Sequence, residues 1–464
     1  MPAELTARFV AQTLGLPAPP GPDVAFTAVS TDSRTLPEGA LFVPIHGEKF
    51  DGHDFIPAAI ERKARGVLTA RAMATMRAVA VFKVPNTVAA FQKLAGAWRR
   101  KFSCPVAAVG GSVGKTTTKE LLASALSGRF KVVKTTASRN GEIGVPMTLL
   151  EMRPEHEAAV VEIGIDEVGA MDRLCALVHP TAAVVTAIAA EHLEKLKNLE
   201  TIAHEEALLL VRTAASGGRA FVNLDDPYLA PLLEKIAVPT TTGFTLQEVP
   251  DRPRVLRGRA AVAAGELVVE GESYGLPLPG AHNAANLLAA IAVARGLGVS
   301  PEEIRRGLAS FQPLAGRSQL QKLPGGPLVL CDYYNANPVS MAAAFAVLAS
   351  LPATGKKWAC LADMLELGPD EEKLHRDLAG PLMRSGATHV LLAGQCMAAL
   401  AAELKKRRFP GRVTHFADVE ALVKSFSSLV REEDAALLKG SRAMRMERAW
   451  DALTLPVNPP PGSP

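Results

Sequence analysis

Apolar residues follow two patterns along this chain: short runs that are apolar throughout, and longer stretches in which apolar residues recur every three or four positions. The first pattern predicts buried strands, and the second predicts helices that pack on them. Through the middle of the chain the two patterns alternate. The strands predicted there are 106–109, 131–135, 158–164, 181–188 and 218–223. This alternation predicts an α/β fold with a parallel, doubly wound sheet, in which ligands bind at the carboxyl ends of the strands.

Related patterns flank this central region on both sides. Before it, residues 39–45 predict a strand between polar turns, and after it, residues 245–277 alternate in polarity as antiparallel strands do. A proline- and glycine-bearing linker, 311–316, leads into a second strand–helix series with strands predicted at 328–332, 357–361, 389–393 and 435–438. We therefore expect three domains, spanning 1–84, 85–312 and 313–464, with a disordered tail from about residue 456.

The composition narrows the class of protein. The chain has 464 residues, of which 48% are apolar and 21% charged, and its net charge is +4. Such a small net charge gives no reason to expect nucleic acid as a partner. No apolar run approaches the ~18 residues of a membrane span, and the N-terminus lacks a basic stretch followed by an apolar one. The five cysteines are scattered without C-x-x-C spacing, which favours reduced thiols. We expect a cytoplasmic protein and, by default, a monomer.

Residues 106–120 carry the strongest chemical signal. An apolar strand ends at the loop Gly111-Ser-Val-Gly114, and Lys115-Thr-Thr117 opens the following helix. Backbone amides and the positive end of the helix dipole attract phosphate at such a turn. Lys115 would reach the outer phosphates, and the Thr116 hydroxyl would hold Mg²⁺. Because Val109 stands where the strict P-loop pattern has glycine, this is a shortened variant, and an ordinary strand-to-helix turn is the alternative.

Two more polar residues follow strands that are predicted in the same sheet. Glu162 lies in the strand 158–164, and His192 comes shortly after the strand 181–188. The carboxyl ends of parallel strands meet at one edge of a sheet. Mg²⁺ takes oxygen ligands beside phosphate groups, so we expect a metal site there, although a single acid at such a position can also be structural.

Polar side chains also gather on predicted loops of the first domain. Asp32, Ser33 and Arg34 form one turn, and Lys49 and His53 lie in a second loop before a helix. Loops at strand ends are common ligand sites. The alternative is that these are solvated turn residues with no ligand.

The order of short segments along the chain resembles the Mur ligase family. The resemblance extends from about residue 30 to 448, which is nearly the whole chain. The segments are Thr31-Asp-Ser-Arg34, Phe50-Asp-Gly-His53, Gly111-Ser-Val-Gly-Lys-Thr116, Asn140-Gly-Glu-Ile-Gly-Val-Pro146, Glu162-Ile-Gly, Glu191-His-Leu, His282-Asn283, Gly316-Arg317, Asp332-Tyr-Tyr-Asn-Ala-Asn-Pro338, Asp363-Met-Leu-Glu-Leu-Gly368 and Lys439-Gly-Ser-Arg442. The phosphate loop alone would fit any member of the family, whereas the segments ending at Pro146, Pro338 and Gly368 are more specific.

The resemblance implies a three-domain architecture: an N-terminal domain for the UDP-sugar, a central P-loop ATPase domain with a parallel sheet, and a C-terminal Rossmann-like domain. It also implies ATP and Mg²⁺ as cofactors. The specific segments resemble the family members that join D-alanyl-D-alanine to UDP-MurNAc-tripeptide in peptidoglycan precursor synthesis. In that reaction the carboxylate attacks the γ-phosphorus of ATP, and the amine then displaces phosphate from the acyl phosphate.

The resemblance also implies residue roles. It assigns catalysis to Lys115, Glu162 and His192, and metal binding to Thr116, Glu162 and His192. The implied nucleotide-binding residues are Gly111, Ser112, Val113, Gly114, Lys115, Thr116, Thr117, Asn283, Arg317 and Asp332. The implied substrate-binding residues are Asp32, Ser33, Arg34, His53 and Asn140. Arg317 and Asp332 belong to the third domain, so we expect the domains to close around the nucleotide.

Three positions depart from the family pattern. Gly110 stands where threonine is frequent, and Cys331 stands where a second aspartate often precedes Asp332. Glu206 stands where the family usually has a lysine whose carbamate holds the second Mg²⁺. Glu206 follows Ile202 by four residues and precedes Leu209 by three, which places it on one helical stripe with them. We therefore expect it to point inward and to serve directly as a metal ligand; a solvated helix charge is the alternative.

Other functions remain open from the sequence. A sibling ligase that adds the third peptide residue, or a folylpolyglutamate-type ligase, would share the phosphate loop. The chain lacks the Asp-Asn-Pro-Arg segment expected in the diamino acid-adding sibling. A P-loop regulatory ATPase that binds partners without ligation is an alternative from another class, and the absence of an Asn-Lys-x-Asp motif weakens its GTPase form.

The phosphate-loop interpretation predicts that Lys115→Ala abolishes acyl-phosphate formation and leaves the fold intact. The charge of Lys115 is directed at negative charge that develops during the reaction, so turnover should fall by about 10²-fold or more. Steady-state turnover, measured beside a circular dichroism spectrum of the variant, checks this. Near-normal turnover in a folded Lys115→Ala protein would remove the loop from the mechanism.

Overall fold

The computed structural model describes residues 4–47, 50–73, 78–236, 241–248 and 254–454. Lys49 and the expected tail from residue 456 lie outside these ranges. The described chain forms three sheets, which follow one another along the sequence and contain four, nine and six strands. Within the described part, no helix is both long and apolar enough to cross a membrane.

The first sheet is parallel throughout, with its strands in sequence order. Asn86 caps the helix that follows it by accepting a hydrogen bond from the amide of Ala89, as expected of an asparagine at a helix start. The elements are α1 (Ala7–Leu14), β1 (Val29–Ser30), β2 (Leu41–Phe42), α2 (Ile56–Glu61), β3 (Gly66–Thr69), β4 (Ala80–Lys83) and α3 (Thr87–Arg99).

The second sheet contains the predicted doubly wound core. Its order is β13-β12-β11-β10-β9-β8-β5-β7-β6, and all neighbours are parallel except that β12 runs antiparallel to β11 and β13. The strands are β5 (Val106–Gly110), β6 (Val132–Lys134), β7 (Ala158–Glu162), β8 (Ala182–Val185), β9 (Arg219–Asn223), β10 (Thr241–Thr245), β11 (Val255–Ala261), β12 (Glu266–Val269) and β13 (Glu272–Gly275). The helices are α4 (Lys115–Ser127), α5 (Gly144–Leu150), α6 (Ala170–Val178), α7 (Leu193–Leu196), α8 (Leu199–Ala215), α9 (Leu229–Ile236), α10 (Ala281–Gly296) and α11 (Pro301–Leu308).

Strand β5 lies between β8 and β7 in this sheet and is buried along its whole length. Its alternate residues enter two different cores: Val106 and Ala108 pack in one, and Ala107 and Val109 in the other. A strand that is covered by helices on both faces cannot tolerate polar positions. The uninterrupted apolar run in the sequence therefore reflects burial on both faces of β5. This burial ends within the glycine loop that follows β5.

The third sheet is parallel except for its first strand, and its order is β14-β15-β19-β16-β17-β18. Asn337 and Ser340 form a capping box at the start of α12, with Pro338 in its first turn. The strands are β14 (Gln319–Lys322), β15 (Leu328–Cys331), β16 (Lys357–Ala362), β17 (His389–Ala393), β18 (Arg412–Phe416) and β19 (Ala435–Lys439). The helices are α12 (Pro338–Ser350), α13 (Glu371–Asp377), α14 (Ala379–Met383), α15 (Met397–Lys406), α16 (Val419–Leu429) and α17 (Glu447–Thr454).

The sequence patterns predicted β5 to β9 of the second sheet and β15, β16, β17 and β19 of the third. They missed the short strands β3, β4 and β10, of which β3 is buried throughout, and they missed two edge strands of the third sheet. Strands β14 and β18 are the outer strands of the third sheet, and neither contains a wholly buried residue. Such strands lack the apolar run that marks a buried strand. In the second sheet, β8 ends at Val185, three residues before the predicted end, because the chain turns there toward the phosphate loop.

Helix α4, which starts at the phosphate loop, packs closely against α11. A Cβ atom on Gly307 would lie 2.0 Å from the carbonyl oxygen of Ser124, and one on Gly128 would lie 1.9 Å from that of Glu303. A side chain at either position would therefore collide with the backbone of the facing helix and force the two helices apart. The two glycines set the distance between α11 and the helix that carries the phosphate loop.

We predict that Gly307→Ala destabilises the protein. Alanine improves helix propensity by about 1 kcal/mol. The added methyl group must push a backbone carbonyl aside, and overpacking of this kind costs about 1–3 kcal/mol or more, so the net effect should be a loss. Denaturant unfolding measures it. Gly275→Ala is the matched control, because a Cβ atom there would meet no atom within 4 Å; equal stability changes in the two variants would contradict the close packing.

Candidate active site

The phosphate loop connects β5 to α4, and two of its glycines are required by backbone conformation. Gly111 has φ +114° and Gly114 has φ +86°, which L-residues with a side chain rarely adopt. Space is also restricted: a Cβ atom on Gly111 would lie 2.3 Å from Thr186 Oγ1, and one on Gly114 would lie 2.3 Å from Asn286 Oδ1. The loop is therefore a close-fitting turn.

Protein groups already bind the first amides of the loop. The amide of Gly111 donates to Glu206 Oε2 at 2.7 Å, and that of Ser112 donates to the carbonyl of Ala187 at 2.7 Å. The Thr186 hydroxyl, in turn, donates to the carbonyl of Val113 at 2.6 Å. The sequence interpretation expected these amides to face phosphate. The structure instead leaves that role to the amides of the first turn of α4, which precede the first intrahelical bond.

Lys115 lies at the start of α4 and is almost wholly enclosed. Its ammonium donates to the carbonyls of Gly111 and Ser112 and forms an ion pair with Glu191 at 3.1 Å. Burial opposes the charge of Lys115, but the nearby carboxylates of Glu191, Glu206 and Glu162 outweigh it and raise its pKa. The side chain is thus a cation held over the loop.

Thr116 and Glu162 form the oxygen cluster beside Lys115. The Thr116 hydroxyl donates to Glu162 Oε1 at 3.0 Å, and the Asn140 amide donates to the same oxygen at 2.8 Å. Glu162 Oε2 is buried and has no hydrogen-bond partner among the described residues. An orphaned carboxylate oxygen next to a hydroxyl fits the ligand preference of Mg²⁺, so these residues are compatible with a divalent cation.

Lys119, one turn further along α4, was not among the predicted site residues. It is wholly buried, and its ammonium donates to the carbonyls of Thr135 and Ala137 at 2.8 and 2.7 Å. It also pairs with Glu120 at 2.8 Å and lies 3.6 Å from Glu162 Oε2. Lys119 therefore supplies the positive charge that balances buried Glu162. Its signal in the sequence was weak, since a lysine on a helix is usually exposed.

His192 lies at the opposite side of the site. Its backbone has a positive φ of +50°, and its Nδ1 atom lies 2.7 Å from Glu366 Oε2 of the third domain. The segments Glu191-His-Leu and Asp363-Met-Leu-Glu-Leu-Gly368, which are far apart in sequence, therefore meet in space. Within the described ranges, no three or more His, Cys, Asp or Glu side chains gather closely enough to hold a metal by themselves.

Glu206 is wholly buried, as its position on the apolar stripe of α8 predicted. It nevertheless does not line the cavity in front of the loop. Its carboxylate lies behind the loop, bound to the amide of Gly111, and this position does not fit the expected direct metal ligand. Burial raises the pKa of Glu206 to about 7, the charge of Lys115 partly offsets this, and that of Glu191 adds to it. Glu205, its neighbour, accepts a hydrogen bond from the amide of Gly169 at the start of α6.

The third domain contributes Arg317 and Asp332. Arg317 Nη2 lies 3.2 Å from Ser138 Oγ, across the domain boundary, and its guanidinium carbon lies 4.0 Å from the centre of the Tyr334 ring. Asp332 Oδ2 pairs with buried Lys439 at 2.6 Å. Lys439 begins the family-like segment Lys439-Gly-Ser-Arg442 but was not predicted as a site residue. The ion pair with Lys439 places the Asp332 carboxylate at the cavity wall.

One cavity between the second and third domains collects most of the predicted residues. Asn283 lies on its wall, where it bonds to the Pro279 carbonyl and to Asn286. The predicted residues that line this cavity are Ser112, Val113, Gly114, Lys115, Thr116, Thr117, Asn140, Glu162, His192, Asn283, Arg317 and Asp332. Gly111, the first residue of the loop, does not line the cavity, and its amide binds Glu206. The structure thus brings together segments from position 112 to position 332.

The predicted residues of the first domain do not line this cavity. Arg34 forms a bidentate pair with Asp32 at 2.9 and 2.8 Å, and the hydrogen bond from the Arg34 side chain lowers the pKa of Asp32 to about 2. Ser33 is buried. His53 is also buried, and both ring nitrogens are engaged, Nδ1 with Asp51 at 2.6 Å and Nε2 with the amide of Ala70 at 2.9 Å.

Comparison with known proteins places the chain among ligases. Family models match residues 25–98 (Mur ligase family, catalytic domain), 109–294 (Mur ligase middle domain) and 316–442 (Mur ligase, glutamate ligase domain). The chain is 32% identical over 426 residues to the UDP-N-acetylmuramoyl-tripeptide–D-alanyl-D-alanine ligase of Bacillus subtilis (strain 168), covering 90% of this chain and 91% of that one.

Solved structures agree with this comparison. A crystal structure of MurF from Acinetobacter baumannii is 27% identical and superposes with a TM-score of 0.84, covering 97% of this chain and 99% of that one. A MurF ligase from Thermotoga maritima in complex with ADP is also 27% identical, with a TM-score of 0.75, covering 92% of this chain and 96% of that one. The likeness therefore extends through all three domains.

The site geometry predicts that Lys119→Met is strongly destabilising. The substitution leaves buried Glu162 without its cation and leaves Glu120 paired only with the partly exposed Lys134. Breaking a buried pair in this way costs about 3–5 kcal/mol. Denaturant unfolding measures the loss. The matched control is Lys134→Met, because Lys134 also pairs with Glu120 but is 43% exposed, and an exposed pair contributes about 1 kcal/mol or less. Equal losses in both variants would show that Lys119 does not balance the buried acids.

Proposed function

The chain belongs to the Mur ligase family, and we propose that it is an ATP-dependent ligase that joins D-alanyl-D-alanine to UDP-N-acetylmuramoyl-tripeptide in peptidoglycan synthesis. The observation that carries the proposal is the cavity between the second and third domains, where Lys115 and Glu162 face Arg317 and Asp332. Relatives that bear this name match the chain over nine tenths of its length, which supports the same reaction here. The cytoplasm is the compartment we propose for it.

ATP is the proposed nucleotide, and the open end of α4 is its phosphate site. The amides of Lys115, Thr116 and Thr117 precede the first intrahelical bond, so they are free to donate to phosphate oxygens. Asn283 on α10 is the proposed adenine contact, and Asp332 is the proposed ribose contact. Arg317 adds positive charge from the third domain. The similar ligase from Thermotoga maritima was solved in complex with ADP, which supports an adenine nucleotide as the ligand here.

The proposed chemistry has two steps. An oxygen of the tripeptide carboxylate forms a bond to the γ-phosphorus, and the bond to the bridging β–γ oxygen breaks, so that ADP leaves and an acyl phosphate remains. The dipeptide amine then attacks the acyl carbon, the carbon–oxygen bond to phosphate breaks, and the amine loses a proton. Two anions meet in the first step, and Lys115 stabilises the negative charge that develops there.

Mg²⁺ is the metal that the residues fit. Thr116 and Glu162 would hold it, since their oxygens lie 3.0 Å apart and Glu162 Oε2 accepts no hydrogen bond from the described residues. His192 is the proposed ligand of a second ion. When bound, the metal supplies charge neutralisation beside the phosphates. Asn140 and Lys119 hold the Glu162 carboxylate in position.

The UDP end of the substrate is proposed to bind on the first domain. The Arg34 guanidinium is exposed there, although it is paired with Asp32, and a diphosphate is a stronger partner for a guanidinium than an exposed carboxylate is. Ser33 and Asp32 shape the same turn. His53 has both ring nitrogens engaged, so we propose that it holds the neighbouring loop.

The proposal predicts that phosphate release depends on the dipeptide. Purified protein with ATP, Mg²⁺ and UDP-MurNAc-tripeptide should release phosphate rapidly only when D-alanyl-D-alanine is added, because the amine is needed to break the acyl phosphate. Mass spectrometry should then find the UDP-MurNAc-pentapeptide.

L-alanyl-L-alanine and L-glutamate serve as matched controls in this assay. Release that depends on glutamate, when a folate replaces the UDP-MurNAc-tripeptide, would favour a folylpolyglutamate-type ligase. Release that ignores every amine would favour a regulatory ATPase, and either result would overturn the proposed reaction.

A further inference from the structure

Glu206 is a buried carboxylate that the proposed reaction does not use. It lies on α8 behind the phosphate loop, wholly inaccessible to solvent. Oε2 accepts the amide of Gly111 at 2.7 Å, while Oε1 has no hydrogen-bond partner among the described residues. A buried carboxylate with a single hydrogen bond is costly. The position therefore calls for a function that a smaller or apolar residue would not provide.

Gly110 provides an independent observation about the same contact. Unlike Gly111 and Gly114, Gly110 does not have a positive φ, so its backbone conformation does not require glycine. Space does: a Cβ atom at position 110 would lie 2.7 Å from Glu206 Oε2 and 2.8 Å from Leu209 Cδ2. The Glu206 carboxylate occupies the space that a side chain at position 110 would need.

The hydrogen bond from Gly111 to Glu206 restrains a glycine, the residue type with the greatest backbone freedom. Gly111 has φ +114°, and a glycine in this region has wide rotational freedom unless its neighbours restrict it. Glu206 binds the amide of Gly111, and Lys115 binds its carbonyl. The residue is therefore held at both ends. Lys115 in turn depends on the position of that carbonyl.

We propose that Glu206 is a positioning residue of the phosphate loop and that Gly110 and Glu206 form a matched pair, in which the glycine admits the carboxylate and the carboxylate fixes Gly111. In this role Glu206 touches neither nucleotide nor metal and acts through the loop. The inference rests on the proposed binding of an adenine nucleotide at this loop.

The first test is ADP binding in the presence of a chelator, measured by isothermal titration calorimetry. Glu206→Ala should weaken binding about 10-fold or more, because a buried amide loses a charged acceptor. Glu206→Gln should stay within about 3-fold of the unmodified protein, since its carbonyl oxygen can accept the same bond. ADP affinity unchanged in Glu206→Ala, or lost equally in Glu206→Gln, would overturn the proposal.

Glu205→Gln is the matched control. Glu205 is a buried acid on the same helix and accepts a glycine amide at 3.0 Å, but that amide belongs to Gly169, outside the phosphate loop. Its substitution should leave ADP affinity unchanged. An equal loss of affinity in Glu205→Gln and Glu206→Ala would indicate general destabilisation of α8 and would contradict a specific role for Glu206.

The second test uses Gly110 and does not depend on whether Glu206→Ala folds. Gly110→Ala alone should weaken ADP binding about 10-fold or more, because its methyl group displaces the carboxylate from Gly111. In the double variant Gly110→Ala/Glu206→Ala, the added effect of the methyl group should be clearly smaller. Normal ADP affinity in Gly110→Ala would overturn the matched pair, and so would strictly additive effects.

Two further measurements, the Mg²⁺ requirement and nucleotide binding by the unmodified protein, separate this inference from its alternatives. The half-saturating Mg²⁺ concentration for turnover should be the same in Glu206→Gln as in the unmodified protein. A sharp rise in that concentration, with unchanged ADP binding in chelator, would make Glu206 a metal ligand and overturn the positioning role. If the unmodified protein binds no adenine nucleotide, the proposed function fails; if it binds and Glu206→Ala binds equally, only the inference fails.

Discussion

The phosphate site depends on the hydrogen bonds that fix the backbone of the turn between β5 and α4. The turn has to leave the first amides of α4 and the charge of Lys115 open to a phosphate, yet its own glycines are free to rotate. Thr186, Ala187 and Glu206 bind its backbone from neighbouring elements. Each of these partners follows another strand of the same sheet or lies on a helix that covers it. The parallel sheet is thus the frame that keeps the phosphate site in shape.

The charged side chains of the site come from several strands and helices of two domains. Lys119 is a buried cation on α4 and Lys115 a largely enclosed one, while Glu162 ends β7 and Glu191 follows β8. Buried charges of this kind are tolerated only when each is paired. The third domain adds the Asp332–Lys439 pair and the Arg317 guanidinium. A ligand that carries negative charge would replace part of these internal pairings, which is the electrostatic basis of the proposed nucleotide site.

The second and third domains meet through polar contacts. His192 pairs with Glu366, Arg317 approaches Ser138, and His282 lies 3.3 Å from Ser318 Oγ. Such contacts can break and reform at a lower cost than an apolar interface can. The expected closure of the domains around a nucleotide is compatible with this arrangement, since the cavity is lined from both sides of the boundary.

The sequence alone determined the features that depend on near neighbours. The apolar run of β5, the glycine loop, the start of α4 at Lys115 and the cap of α3 at Asn86 are all local, because strand burial and helix capping involve residues within a few positions. The family resemblance added which distant segments belong to one site. Only the tertiary structure decided their partners: Glu206 meets Gly111 across 95 positions, and Lys439 meets Asp332 across 107. Helical periodicity showed that Glu206 points inward, but it carries no information on what lies opposite, and that contact determines which role the residue has.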